Sequence, residues 1–150
     1  MDFNFTQEQI QFADSLKRWI SNDYNFEHRQ SIVYSEAGVS DAAWASFAEL
    51  GVLALPIPEE QGGFSGNAID MLVVMQEIGR GLVIEPLFAT VLGVEFLKQS
   101  GKHPALLEQV AAGELKLACA LGERQARHEL FNICTSATAQ GDDYVLNGEK

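Results

Sequence analysis

The sequence predicts a mainly α protein: an up-and-down bundle of about six helices, followed by two or three antiparallel strands of an incomplete β domain. Two observations carry this. From Thr6 to Gly113, apolar residues recur at helical spacing in segments bounded by capping residues and joined by mostly short loops, which favour antiparallel neighbours. After Gly113 the apolar period becomes alternating, the pattern of a half-buried strand.

Thr6 with Gln9 three residues later forms a capping-box pattern, and Ile10, Ala13, Leu16, Trp19 and Ile20 follow on one face, predicting a helix over about 7–21. Asn25 is placed to cap a shorter helix over 26–33. Ser40 or Asp41 caps a third, which presents Trp44, Phe47, Ala48 and Leu50 and stops at Gly51. In "VLALPIPEEQGGFSGN" two prolines remove backbone donors and three glycines permit a tight loop. Asn67 caps "AIDMLVVMQEIGR", which is apolar nearly all round and is expected in the middle of the bundle, with Met71 and Met75 as core residues.

Pro86 suits the first turn of a fifth helix, with Phe88, Val91, Leu92 and Phe96 on its apolar face and Gly101 at its end. Pro104 opens a sixth, carrying Leu106, Leu107 and Val110 and closed by Gly113. The expected domains are therefore 1–113, helical, and 114–150, the beginning of a β domain. Within the latter, Leu115, Leu117, Cys119 and Leu121 share one strand face, and Phe131, Ile133, Thr135 and Ala137 another. "DDYVLNGEK" reads as a third strand entering an Asn147-Gly148 hairpin turn with no returning strand. The chain is thus expected to break off inside its second domain, leaving those apolar faces bare and prone to self-association.

The formal net charge of -11, with 21 acidic and 10 scattered basic residues, argues against nucleic acid and against anionic membrane surfaces. No run has the roughly 18 apolar residues of a membrane span, and "MDFNFTQEQIQF" lacks the basic start and apolar block of a signal peptide. A cytoplasmic location is expected. Cys119 and Cys134 show no CxxC spacing and are expected as buried, reduced thiols.

Catalytic motifs are absent: no GxSxG, P-loop, GxGxxG or HExxH occurs, and His28, His103 and His128 share no ligand spacing, so no metal site is expected. "PEEQGGFSG" is the most enzyme-like loop, because glycines admit a ligand close to the backbone and Glu59 and Glu60 lie beside them. As residues alone they favour a structural turn with two solvated carboxylates.

In order, "FTQEQIQF", "WASFAELGVLALPIPEEQGG", "MQEIGRG", "LLEQVAAGELKLACALGE" and "TSATAQGDDYVLNGEK" resemble segments of the acyl-CoA dehydrogenases, in register over essentially the whole chain. The "GRGLVIEP" passage is similar to the small-subunit, pimeloyl-CoA dehydrogenase-like type. The resemblance implies a three-part FAD enzyme with an N-terminal helical domain, a middle β domain and a C-terminal four-helix domain that makes a homo- or hetero-oligomer. It implies α,β-dehydrogenation of an acyl-CoA substrate, with electrons passing to an electron-transfer flavoprotein or similar acceptor.

The family's catalytic glutamate belongs to the C-terminal part, so no catalytic residue is assigned here; Glu49, Glu59, Glu60 and Glu77 match no motif. By the same resemblance Cys119, Leu121, Gly122 and Glu123 stand at flavin-contacting positions. Gly122 lacks the usual threonine hydroxyl, Arg124 stands where proline is usual, and "RQARHELF" lacks the following Gly-Ser-Asp. Substrate-lining positions correspond to the stretch 84–90, giving Ile84, Glu85, Leu87 and Thr90; Glu85 also reads as an acid favoured by the dipole of the helix that follows it. The 150-residue chain alone is expected to be inactive and to bind flavin weakly or not at all. The competing reading, supported by the altered flavin strand, is a non-catalytic helical interaction or oligomerisation module of the same fold.

Overall fold

A computed structural model describes residues 4–150, so the first three residues of the expected 1–113 domain lie outside the described residues. Six α-helices form in order: α1 (Gln7–Asp23), α2 (Phe26–Val33), α3 (Asp41–Glu49), α4 (Ala68–Arg80), α5 (Leu87–Ser100) and α6 (Pro104–Ala111). A two-stranded antiparallel sheet, β1 (Ser136–Gln140) and β2 (Asp143–Asn147), completes the chain. The backbone divides between Ala118 and Cys119 into two compact units.

The helix starts follow local chemistry. The Thr6 hydroxyl accepts the Gln9 N–H at 3.2 Å while the Gln9 side chain accepts the Thr6 N–H at 2.9 Å, so two of the four orphan donors of α1 are satisfied reciprocally. Asn25, Ser40 and Asn67 cap α2, α3 and α4 with their own side chains. Thr6→Ala is expected to cost about 1 kcal/mol and Thr6→Ser only a few tenths, because serine keeps the acceptor. A urea midpoint unmoved in Thr6→Ala at constant m-value would rule this out.

The main core sits where α1, α3, α4 and the start of α5 meet, around Leu16, Trp44, Phe47, Val52, Leu53, Val74 and Leu87, all buried. Met71 and Met75 pack against it. A second cluster joins Ile57 to Val94, Leu107 and Val110 of α5 and α6, and a third gathers Tyr24, Ile32 and Ala43 around α2. The Pro-Gly loop is a self-bonded turn: Ala54 O accepts the N–H groups of Ile57 and Phe64, and Ile57 O accepts that of Ser65 at 2.8 Å. A Cβ at Gly63 would collide with the Ile57 carbonyl, which explains the glycine structurally. Glu59 and Glu60 are solvated.

Several expectations are corrected by the fold. α4 does not lie in the middle of a bundle: Val73 and Val74 are buried, but Ile69 and Leu72 stand open on its other side, because α1, α3 and α5 cover only one face. In α5 the expected core face is only partly used: Val91 packs against the main core, but Phe88 and Phe96 are exposed, and Leu87, Thr90, Gly93 and Val94 are the buried residues. Residues 115–121 and 131–135 form no ladder, since neither finds a partner strand among the described residues. Part of the first stretch is nevertheless covered, Leu115 and Leu117 packing against the Val94–Leu107 cluster, whereas Phe131 and Ile133 are exposed as expected.

The hairpin is complete. β2 returns along β1 with Ser136 opposite Asn147 and Gln140 opposite Asp143, and the turn is Gly141-Asp142, Gly141 having φ +64°. Asn147-Gly148 therefore ends the second strand instead of opening a turn, because β1 already supplies the partner. Neither cysteine is buried: Cys119 is half-buried and Cys134 exposed, both as free thiols on stretches that no second layer covers.

Candidate functional site

The stretch 119–123 leads into the densest polar cluster of the second unit. The Glu123 carboxylate is nearly buried, and both its oxygens are filled. Oε1 accepts the Thr135 N–H at 3.1 Å and Lys150 Nζ at 2.9 Å; Oε2 accepts the Cys134 N–H at 2.7 Å and Gln125 Nε2 at 2.6 Å. The Lys150 ammonium above all, then the Cys134 N–H, the Gln125 amide and Thr135, hold its pKa far below the ordinary 4.5. A carboxylate so held stays ionised and works as a clasp between 123–125, 134–135 and Lys150, three residues beyond β2, not as an acid or base.

Leu121 and Gly122 are exposed, and a Cβ at Gly122 would meet nothing within 4 Å, so backbone here is open to a flat ligand. Cys119 is half-buried one residue beyond the first unit. The structure thus brings Cys119, Leu121, Gly122 and Glu123 into one strip but turns Glu123 toward its own scaffold. Nearby in the same unit, the Thr135 hydroxyl oxygen is buried and has no hydrogen-bond partner among the described residues. The Glu123–Lys150 pair had no signal in the sequence, since the two residues belong to no common motif or periodic element.

The stretch 84–90 lies in the first unit. Ile84 is half-buried, and its N–H donates to the Tyr24 hydroxyl at 3.3 Å. Glu85 is 5% exposed and its Oε1 accepts the Ser40 N–H at 3.2 Å, so it serves the start of α3. The path of the chain into α5 turns the carboxyl back onto α3. Its Oε2 is buried and has no hydrogen-bond partner among the described residues. Burial first, and the adjacent Glu85 carboxyl second, push the Tyr24 phenol well above its ordinary range. Leu87 is part of the main core, and the Thr90 hydroxyl is engaged with the backbone of Leu117.

Phe88 and Phe96 form the open side of α5, a surface that periodicity shows as apolar but assigns to the core. A separate hollow of about 460 Å³ opens near the starts of α1 and α4, lined among others by Phe12, Leu55, Phe64 and Val73, and receives none of the sequence-predicted site residues. Among the described residues, no group of His, Cys, Asp and Glu is arranged to hold a metal, and no helix is long and apolar enough to cross a membrane. His28 is exposed, with Nδ1 2.6 Å from Asp23 O.

Residues 6–114 match the family model described as acyl-CoA dehydrogenase, N-terminal domain. Acyl-CoA dehydrogenase FadE26 of Mycobacterium tuberculosis is 29% identical over 161 residues, covering 100% of this chain and 40% of that protein. A solved steroid acyl-CoA dehydrogenase, the Tcur3481-Tcur3483 G363A variant, has a TM-score of 0.87 at 22% identity over 95% of this chain and 40% of its own. An acyl-CoA dehydrogenase of Bacillus anthracis, solved complexed with FAD, has a TM-score of 0.82 at 22% identity over 97% of this chain and 26% of its own. The chain spans about a quarter to two fifths of the length of these relatives. Because that family model spans nearly all of the helical unit, the chain belongs to the acyl-CoA dehydrogenase family and carries its N-terminal domain.

Proposed function

We propose that this chain is the site-walling N-terminal part of an FAD-dependent acyl-CoA dehydrogenase that introduces an α,β double bond into an acyl-CoA thioester. The observation that carries the reading is the family match across the helical unit, with the exposed Leu121–Gly122 backbone following it. Residues 1–113 are the N-terminal helical domain and 114–150 begin the middle β domain. FAD, when bound, supplies the electron acceptance that the reaction needs. Cys119, Leu121 and Gly122 present their backbone to it, and Glu123 holds that strip in shape through Lys150, Cys134, Gln125 and Thr135.

The substrate wall runs along 84–90: Ile84 is its half-buried member, while Glu85, Leu87 and Thr90 set the course of α5 from behind. The complete protein works in the cytoplasm as a homo- or hetero-oligomer, passes electrons to an electron-transfer flavoprotein or similar acceptor, and is of the small-subunit, pimeloyl-CoA dehydrogenase-like type. The catalytic base lies outside this chain.

Flavin and activity measurements test this. The 150-residue chain is expected to purify without stoichiometric FAD, and the polypeptide from the complete reading frame to bind FAD and oxidise an acyl-CoA with an artificial electron acceptor. A frame that stops after Lys150, or a complete polypeptide that never oxidises an acyl-CoA, would replace this reading with that of a non-catalytic interaction module; Gly122 and Arg124, at positions where the family has threonine and proline, are what favour that alternative.

A further inference from the structure

The segment 113–118 has no regular secondary structure, yet Gly113, Leu115, Lys116 and Leu117 all contact the helices. Trp44 Nε1 donates to Gly113 O at 3.1 Å, and Lys116 Nζ pairs with Asp41 at 2.7 Å while lying 5.4 Å from the Trp44 ring centroid. Between them, Leu115 and Leu117 pack against the Val94–Leu107 cluster. The ion pair is mostly exposed and contributes little by itself. The buried anchor is Thr90.

A threonine hydroxyl in a helix ordinarily bonds a carbonyl of its own preceding turn. Thr90, 1% exposed, instead accepts the Leu117 N–H at 3.2 Å and faces Leu117 O at 3.4 Å, across 27 residues of sequence. One hydroxyl therefore satisfies both backbone groups of a single residue in a segment that pairs with no strand among the described residues, where a buried, unsatisfied N–H would be costly. Beside it, Gly93 leaves the space that the Leu117 side chain fills: a Cβ there would stand 2.6 Å from Leu117 Cβ.

We infer that Thr90 is a positioning residue: with Gly93 it pins Leu117, and so fixes the chain two residues before Cys119, where the cofactor-facing strip begins. The anchoring stands on the structure alone; its consequence for cofactor binding rests on the function proposed above. On this account Thr90 acts on the cofactor through the backbone and does not touch substrate.

Amide hydrogen exchange on the full 150-residue chain tests the anchor. Thr90→Val keeps the volume and removes both bonds, and is expected to speed exchange at Leu117 about tenfold, with 119–122 loosened and the amides of α1 and α4 unchanged. Thr90→Ser restores the hydroxyl and should return Leu117 to within about twofold of wild type. Gly93→Ala displaces Leu117 without removing a donor or acceptor and should reproduce the Thr90→Val pattern. Unchanged Leu117 exchange in both Thr90→Val and Gly93→Ala, or a uniform rise across all helices, overturns the anchor. In the complete polypeptide, Thr90→Val should weaken FAD binding about tenfold with rescue by serine. Fast Leu117 exchange with unaltered FAD affinity overturns the positioning role, whereas no FAD binding even by wild type is a failure of the functional reading and leaves the exchange result to decide the anchor.

Discussion

Phe47→Ala is expected to destabilise the helical unit by about 3–5 kcal/mol, the range for deleting a buried aromatic ring, and to lower its thermal midpoint by about 10 °C or more. Phe47 is 0% exposed and stands between two other rings, with centroids 5.1 Å from Trp19 of α1 and 6.2 Å from Trp44 of its own helix. Removing it empties the junction of α1, α3 and the segment that starts at Val52, and neither tryptophan can close the gap without leaving its own neighbours. Phe47→Leu refills most of the volume and should lose less than half as much. Far-UV circular dichroism on heating reads the helical unit directly, since the second unit has no helix among the described residues. A loss of less than about 1 kcal/mol in Phe47→Ala would mean that the three-ring junction is not the keystone of this core.

Glu123→Gln is expected to open the second unit while leaving the first intact. The glutamine amide group is itself a donor, so it faces Gln125 Nε2 or Lys150 Nζ with the wrong polarity and loses the charge that holds the lysine. The amides of Cys134 and Thr135 should then exchange at rates close to those of an open loop.

Acid should act in the same direction. Because folding lowers the Glu123 pKa, its contribution is fully present above the ordinary value of 4.5 and is lost progressively as pH falls below it. Protection at Cys134 and Thr135 should therefore decline with acid in the wild type and stay flat in Glu123→Gln. Asp41, also lowered, by its bond to Lys116 and then by that charge, is exposed and adds a weaker acid dependence in the first unit. Two NMR amide signals followed from pH 6 downward decide the point: equal acid sensitivity in wild type and variant would remove Glu123 from the account.

Helix boundaries were legible because capping is local. Thr6 with Gln9, Asn25 with His28, Ser40 with Ala43, and Asn67 with Asp70 each satisfy a backbone donor within one turn, so residue identity and spacing suffice. The resemblance of ordered segments was legible for a similar reason, and it agrees with the family match over 6–114. The face of α5 was not. Both Phe88, Val91, Leu92, Phe96 and Leu87, Thr90, Val94, Leu97 run at helical spacing, and only contact with α6 and the main core buries the second set and Val91 while leaving Phe88 and Phe96 open. The hairpin failed differently: Asn147-Gly148 is the stronger isolated turn signal, but pairing of β1 with β2 consumes Asn147 as a strand residue.

For this protein, the sequence by itself determined where helices begin and end, that alternation replaces helical periodicity after Gly113, and which family's segments stand in what order. The tertiary structure alone decided that Glu85 caps a helix distant in sequence, that Thr90 holds Leu117, and that Glu123 gathers Lys150 with the amides of Cys134 and Thr135. Caps and periods depend on residues within a turn of one another. A buried hydroxyl or carboxylate is instead defined by whichever unsatisfied donors the folded chain carries to it, and no spacing records that.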